Sequence, residues 1–410
     1  MPEPSSRRGA IVASALVTPT GPAPVRGRSS AEPLVLRDAG VAWEDGAITY
    51  VGPADGLPAS SPEVFEGGLV VPGFVDCHTH LPFVGWRDDE FETRLAGATY
   101  RALHGEGGIY RSARLLSEAE DEEALAFCLP LVREMAEHGT TALELKTGYG
   151  LSLEAELRQA RLARRLASEA PQACTVTLLA AHAVPHGMAR EDWVRVACRE
   201  LIPAVAAEGL ADAVDVYVED IAFSIEDLRA VAEAAAEAGL PIRCHADQLG
   251  PSGAAEAAVA LGARSADHLN HVSREGVEAL AIGDTAAVLL PASSFLMRGS
   301  PPPVRAMAEA GAAIALATDF NPGTSAVLSM PEAVAFGCAW YGLTPHEALT
   351  ATTLNAAWVL GLHERTGSLE VGKDADLVVL DAEAFRRVPY RPGHNPVLAT
   401  LVGGRSVVRR

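Results

Sequence analysis

The sequence predicts an α/β fold: a (β/α)8 barrel of the TIM type, with a small β-sandwich domain built from both chain ends. Between residues 70 and 320, eight apolar runs of strand character alternate with Ala-, Glu- and Arg-rich stretches of helical spacing, the pattern of parallel strands joined by helices. Nearly every run ends in a polar residue, as a barrel that builds its site at the C-terminal strand ends requires. Outside this region, residues 1–69 are rich in Pro, Gly and Ser, and the chain returns to β character after residue 366.

In chain order, the first β-like runs fall at 10–17, 34–37, 40–44 and 48–51. The first follows Ser5-Ser6-Arg7-Arg8 and has the look of an export signal with paired arginines, but it is short and interrupted by Thr and Pro, so a β-strand is expected. Barrel strands are expected at 70–77, 140–146, 175–182, 213–219, 241–246, 265–269, 285–291 and 313–319, with helical spacing between them, as at 225–238 and 253–261. Further helices are expected near 331–341 and 345–361, and β structure resumes at 367–381. The division that follows is 1–69 for the first part of the small β domain, 70–366 for the barrel and 367–410 for the rest of the small domain.

Acidic residues outnumber basic ones 53 to 33, a formal charge of −20, which repels nucleic acid and anionic membrane and leaves small molecules as the expected partners. No apolar run reaches the roughly 20 residues that span a bilayer. The six cysteines form no CxxC pair, which speaks against a disulfide scaffold or a zinc knuckle and suits a cytoplasmic protein.

The polar strand ends are His78 and His80, Lys146, His182, Glu219, His245 and Asp247, His268, and Asp319. On a strand, positions 78 and 80 point to the same side, so two imidazoles can share one ion. A lone HxH pair is weak evidence, since it also arises by chance or in a hydrogen-bonded core. With His245 ending the fifth strand and Asp319 the eighth, three imidazoles and a carboxylate form a donor set suited to zinc or ferrous iron. Such an ion lowers the pKa of bound water and so serves hydrolysis. Asp319 is the expected proton acceptor, and His268 either orients water, polarises a substrate oxygen or packs as an ordinary buried histidine. Lys146 leaves open a second, dinuclear reading with a carboxylated lysine. Its place on the second strand, across from the fourth where such a lysine would sit, points instead to a salt bridge.

Several stretches together carry a family pattern. Pro72-Gly73-Phe74-Val75-Asp76-Cys77-His78-Thr79-His80 and Gly367–Leu377 resemble the two ends of an amidohydrolase-superfamily chain. Arg87 with Glu90-Phe91, Lys146-Thr147-Gly148-Tyr149-Gly150, Ala181–Pro185, Ala266–Leu269 and Thr318–Ser325 resemble, in order, the imidazolonepropionase family over about residues 70–400. The resemblance implies ring opening of 4-imidazolone-5-propanoate by water to N-formimino-L-glutamate in histidine degradation, with one zinc or iron ion per chain and a homodimer. It implies that Arg87 pairs with the propionate carboxylate, that Tyr149 and His182 contact substrate, and that Asn321, Gly323 and Thr324 hold substrate or product. His182 is also expected to stabilise charge developing on the ring carbonyl oxygen.

Three departures from the family pattern matter. Glu106 interrupts the glycine run Gly105–Gly108, and the first 69 residues match only loosely. In His245-Ala246-Asp247-Gln248, an amide stands where many relatives and nucleobase deaminases carry glutamate. An amide cannot ionise to carry a proton to a departing amine, so deamination is disfavoured, whereas Gln248 can still serve as a neutral hydrogen-bond partner for the ring. The competing expectations are an amidohydrolase acting on another small heterocycle and a non-catalytic metal-binding barrel.

Overall fold

The computed structural model describes residues 8–58, 62–98 and 107–410; Gly105 and Glu106 of the glycine run lie outside them. The small domain contains β1 (Arg8–Thr18), β2 (Leu34–Glu44), β3 (Ala47–Pro53) and β4 (Glu63–Pro72). The barrel is formed by β5 (Phe74–Asp76), β6 (Thr140–Lys146), β7 (Ala173–Ala181), β8 (Ala213–Val218), β9 (Ile242–Ala246), β10 (Ser265–His268), β11 (Ala286–Leu289) and β12 (Ile314–Leu316), hydrogen-bonded in unbroken chain order. Every neighbouring pair is parallel, with helices in the connections. The ring closes at its mouth, where Thr79 bridges Phe320 and the His80 amide donates to the Phe320 carbonyl at 2.9 Å.

After the barrel come β13 (Leu377–Leu380), β14 (Val397–Val402) and β15 (Arg405–Arg409), which join β1–β4 in one seven-stranded sheet of order β15-β14-β13-β4-β1-β2-β3. Leu377 of β13 lies opposite Pro72 of β4, so the chain ends meet as expected.

The strand expected at 70–77 divides in two. Residues up to Pro72 belong to the small sheet, and only Phe74–Asp76 forms the first barrel strand. The apolar run is continuous because the end of β4, Leu69–Pro72, is buried on both faces. Val70 packs with Ile11 and Leu377 inside the small domain, while Val71 packs with Phe74 in the barrel core. Continuous burial erases the period-2 signal that would otherwise mark the boundary. Among the described residues, no helix is long and apolar enough to cross a membrane.

Candidate metal centre and substrate pocket

The barrel mouth gathers the polar strand ends. His78 follows β5, and its Nδ1 lies 2.6 Å from Asp267 Oδ2, so the ring donates there and turns Nε2 inward. His80 Nε2 lies 3.3 Å from Asp319 Oδ1, and His78 Nε2 lies 3.7 Å from the same oxygen. His245 on β9 stands 4.5 Å from His78 and 5.2 Å from His268, centroid to centroid. Donor atoms of His78, His80 and Asp319 fall within 4.8 Å of one another, as do those of His78, His245 and His268. The two groups share His78, which makes them one site with five donors, and His268 stands nearer the ligand set than its sequence role implied.

The donors fit a cation. His78 Nε2 and His245 Nε2 are fully buried without hydrogen-bond partners among the described residues, a costly arrangement unless something binds there. Burial first, then Lys146 and the neighbouring imidazoles, pushes His78 well below the usual histidine range. Burial, His245 and Lys146 do the same to His80. Burial pushes His268 down to about 3. These imidazoles are therefore neutral at physiological pH and able to ligate. Burial also raises the Asp319 carboxyl, which makes it a better proton acceptor than a solvated aspartate.

Strained backbone collects at the same strand ends: Asp247, His268, Leu269 and Asp319 have φ of 52°, 79°, 62° and 55°. Non-glycine residues in this region cost of order 1–3 kcal/mol each and cluster at functional sites.

His80, Arg87, Tyr149, His182, His245, Gln248, His268, Asp319, Asn321 and Thr324 line one pocket. His78 lies at its base among the metal donors, while Gly323 faces an adjoining cavity. Arg87 precedes the helix Asp88–Leu95, is only 3% exposed, and among the described residues has no hydrogen-bond partner at Nε or Nη1; the Glu90 carboxylate is 3.8 Å away. A Cβ at Gly323 would lie 1.9 Å from Arg87 Nη2, so glycine is what lets the loop pass over the guanidinium. Gly148, at φ 112°, serves His182 similarly: a Cβ there would lie 2.7 Å from its Nδ1. His182 Nδ1 is 3.0 Å from the Gly148 carbonyl, so Nδ1 carries a hydrogen and donates there.

Two expected substrate contacts look different in place. The Asn321 side chain accepts from the Gly323 and Thr324 amides at 2.9 and 2.7 Å and donates to the Asp319 carbonyl at 2.6 Å, so it shapes the loop that carries Asp319. Gly323 acts through the space it leaves for Arg87.

Sequence reading missed Tyr217, which lines the pocket one strand from His245, and Asp215 and Asp267, which lie behind the metal imidazoles. Period-2 parity on β8, running 215, 217, 219, was the available signal. Glu219 was noted as a strand end without a role. It accepts the backbone N–H of Gln248 and Leu249 at 2.6 and 2.8 Å, and burial raises its carboxyl to about 7.

Residues 69–407 match the amidohydrolase family. The chain is 42% identical over 370 residues to an imidazolonepropionase of Rhizorhabdus wittichii, covering 88% of this chain and 93% of that protein. It is 42% identical over 399 residues to an imidazolonepropionase of Rubrobacter xylanophilus, covering 95% and 96%. Among solved structures, a zinc-bound adenosine deaminase from Xanthomonas campestris superposes with a TM-score of 0.71 at 19% identity, over 97% of this chain and 92% of that one; at that identity the likeness concerns the fold. The chain belongs to the amidohydrolase family and, within it, to the imidazolonepropionases.

Proposed function

We propose that the chain hydrolyses 4-imidazolone-5-propanoate to N-formimino-L-glutamate, using one zinc or iron ion held by His78, His80, His245 and Asp319. The observation that carries the substrate is Arg87: a buried guanidinium with two unpartnered N–H groups, in the same pocket as the metal donors. That arrangement calls for an anionic substituent on a small ring, as the propionate provides.

The ion, when bound, supplies Lewis-acid activation of the attacking water at neutral pH. Asp319 takes the proton of that water as its oxygen adds to the ring carbonyl carbon. The carbonyl carbon–nitrogen bond then breaks, and the nitrogen leaves within the formimino group carrying the proton that Asp319 returns. His268 orients the water or the carbonyl oxygen. His182, its Nδ1–H committed to the Gly148 carbonyl, turns Nε2 to the substrate, where it accepts from a ring N–H as imidazole or donates to the carbonyl oxygen as imidazolium. Tyr149, Gln248 and Thr324 complete the substrate contacts. Asn321 and Gly323 hold the Asp319 and Arg87 geometry. The free cysteines accord with a cytoplasmic location, and the family resemblance with a homodimer.

The test is purified protein with freshly generated imidazolone propionate: formiminoglutamate is the expected product, and its absence from the metal-loaded protein rejects the proposal. Gln248→Ala should lose about 1–3 kcal/mol of transition-state stabilisation, because a ring polar group is left unpartnered. Gln248→Glu should stay active and add an acid-side ionisation to the pH profile. Full activity in Gln248→Ala together with an unchanged profile in Gln248→Glu would remove this residue from the site.

The native profile should already carry one ionisation near pH 7 from Glu219, whose carboxyl is raised to about 7 by burial. Falling pH protonates it and weakens the acceptor for the Gln248 and Leu249 amides, so activity should decline on the acid side. Glu219→Gln should lose that step, and a variant that keeps it contradicts the assignment.

A further inference from the structure

Below the metal donors, where such barrels are usually filled with branched apolar side chains, this barrel holds five fully buried charged groups: Glu144 and Lys146 on β6, Asp215 on β8, Arg243 on β9 and Asp267 on β10. They form a chain of hydrogen bonds that is completed by close ion pairs at the Glu144–Lys146 and Asp215–His245 links. Asp267 Oδ2 takes the His78 Nδ1 hydrogen at 2.6 Å and receives Arg243 Nη2 at 2.7 Å. Arg243 Nη1 donates to Glu144 Oε1, and the other Glu144 oxygen lies 2.9 Å from Lys146 Nζ. Lys146 Nζ donates to Asp215 Oδ2 at 2.7 Å, and the same oxygen lies 3.1 Å from His245 Nδ1. The remaining donors of the Arg243 fork go to Ser265 Oγ and the Cys77 carbonyl, both at 2.9 Å, so its plane is fixed.

We infer that Arg243, Glu144 and Lys146 are positioning residues of the metal centre: they tie Asp267 and Asp215 into one relay that sets the His78 and His245 rings together, before the ion arrives. The chemical reason is that five buried charges have few arrangements in which all are paired, and leaving one unpaired is strongly unfavourable. A carboxylate held in such a network gives its imidazole one orientation and one tautomer, which holds the metal-facing nitrogen in place. Glu144, which touches neither histidine nor its carboxylate partner, couples the two ends.

This inference rests on the metal site proposed above, and the experiment separates the two. The full-length protein is loaded with zinc, and zinc release to a chelator is timed for the native chain, Arg243→Met, Lys146→Met and the double variant, with melting temperature measured alongside. Each single variant should release zinc about 10- to 100-fold faster, and the double variant should fall short of the product of the two, as expected for groups acting through one chain. Should Arg243→Met fail to fold, Arg243→Lys and Glu144→Gln keep the volume and carry the same comparison: Arg243→Lys should restore part of the slow release, and Glu144→Gln should hasten it. Native release rates with lowered melting temperature, or effects that simply multiply, overturn the relay. A native chain that holds neither zinc nor iron overturns the metal site itself, and the relay with it.

Discussion

Arg87→Ala is expected to weaken binding of the substrate carboxylate by something on the order of 2–4 kcal/mol, roughly 30- to 1,000-fold in kcat/KM and chiefly through KM. The guanidinium is buried with Nε and Nη1 unpartnered among the described residues, so in the free protein it bears a desolvation cost that Glu90, 3.8 Å away, offsets only in part and a bound anion offsets further. The same variant should therefore melt no lower than the native chain, which separates substrate recognition from structural support. Preference for propionate over an uncharged analogue should vanish. Gly323→Ala should reproduce part of the defect, because its Cβ would stand 1.9 Å from Nη2 and push the side chain aside. A native KM in Arg87→Ala, or a retained preference for the charged substrate, would place the carboxylate elsewhere.

The second large effect concerns the donors. Alanine at His78, His80, His245 or Asp319 should remove at least about a thousandfold of turnover, about 4 kcal/mol of barrier, and the bound metal should fall with it on elemental analysis. His268→Ala divides two roles that its position leaves close together, since His268 shares a donor group with His78 and His245. If His268 acts on water or substrate, the variant keeps its metal and loses kcat. Loss of the ion in His268→Ala would make it a ligand, and clear activity in the metal-free native protein would sink the metal assignment altogether.

Much of this was legible in the sequence for a simple reason: in a parallel barrel every strand delivers its last inward residue to the same mouth. Once eight strands could be counted, His78, His80, His245, His268 and Asp319 had to converge, and they do. What lay deeper was not legible. Asp215 and Arg243 sit at inward positions that parity with Tyr217 and His245 reveals, whereas Asp267, adjacent to His268, falls on the opposite face by parity; nor does parity say which charge meets which across the barrel axis. That Arg243 reaches both Glu144 and Asp267, on strands far apart in sequence, depends on the three-dimensional closure of the ring. The division of the 70–77 run was hidden because both faces of the end of β4, Leu69–Pro72, are apolar, each packed on a different core. At Gln248 the sequence correctly showed an amide unable to ionise, yet the carboxyl that titrates beside it, Glu219, comes from another strand.

In the proposed reaction water opens the ring at the carbonyl carbon–nitrogen bond while both nitrogen atoms stay with the product. Turnover of imidazolone propionate in 18O-labelled water, followed by mass spectrometry of the product and an ammonia assay, tests this most directly. The expected product is formiminoglutamate with one labelled oxygen in the newly formed carboxylate, with no ammonia released by the enzyme. Ammonia released in step with substrate loss, or a product without solvent oxygen, would contradict it.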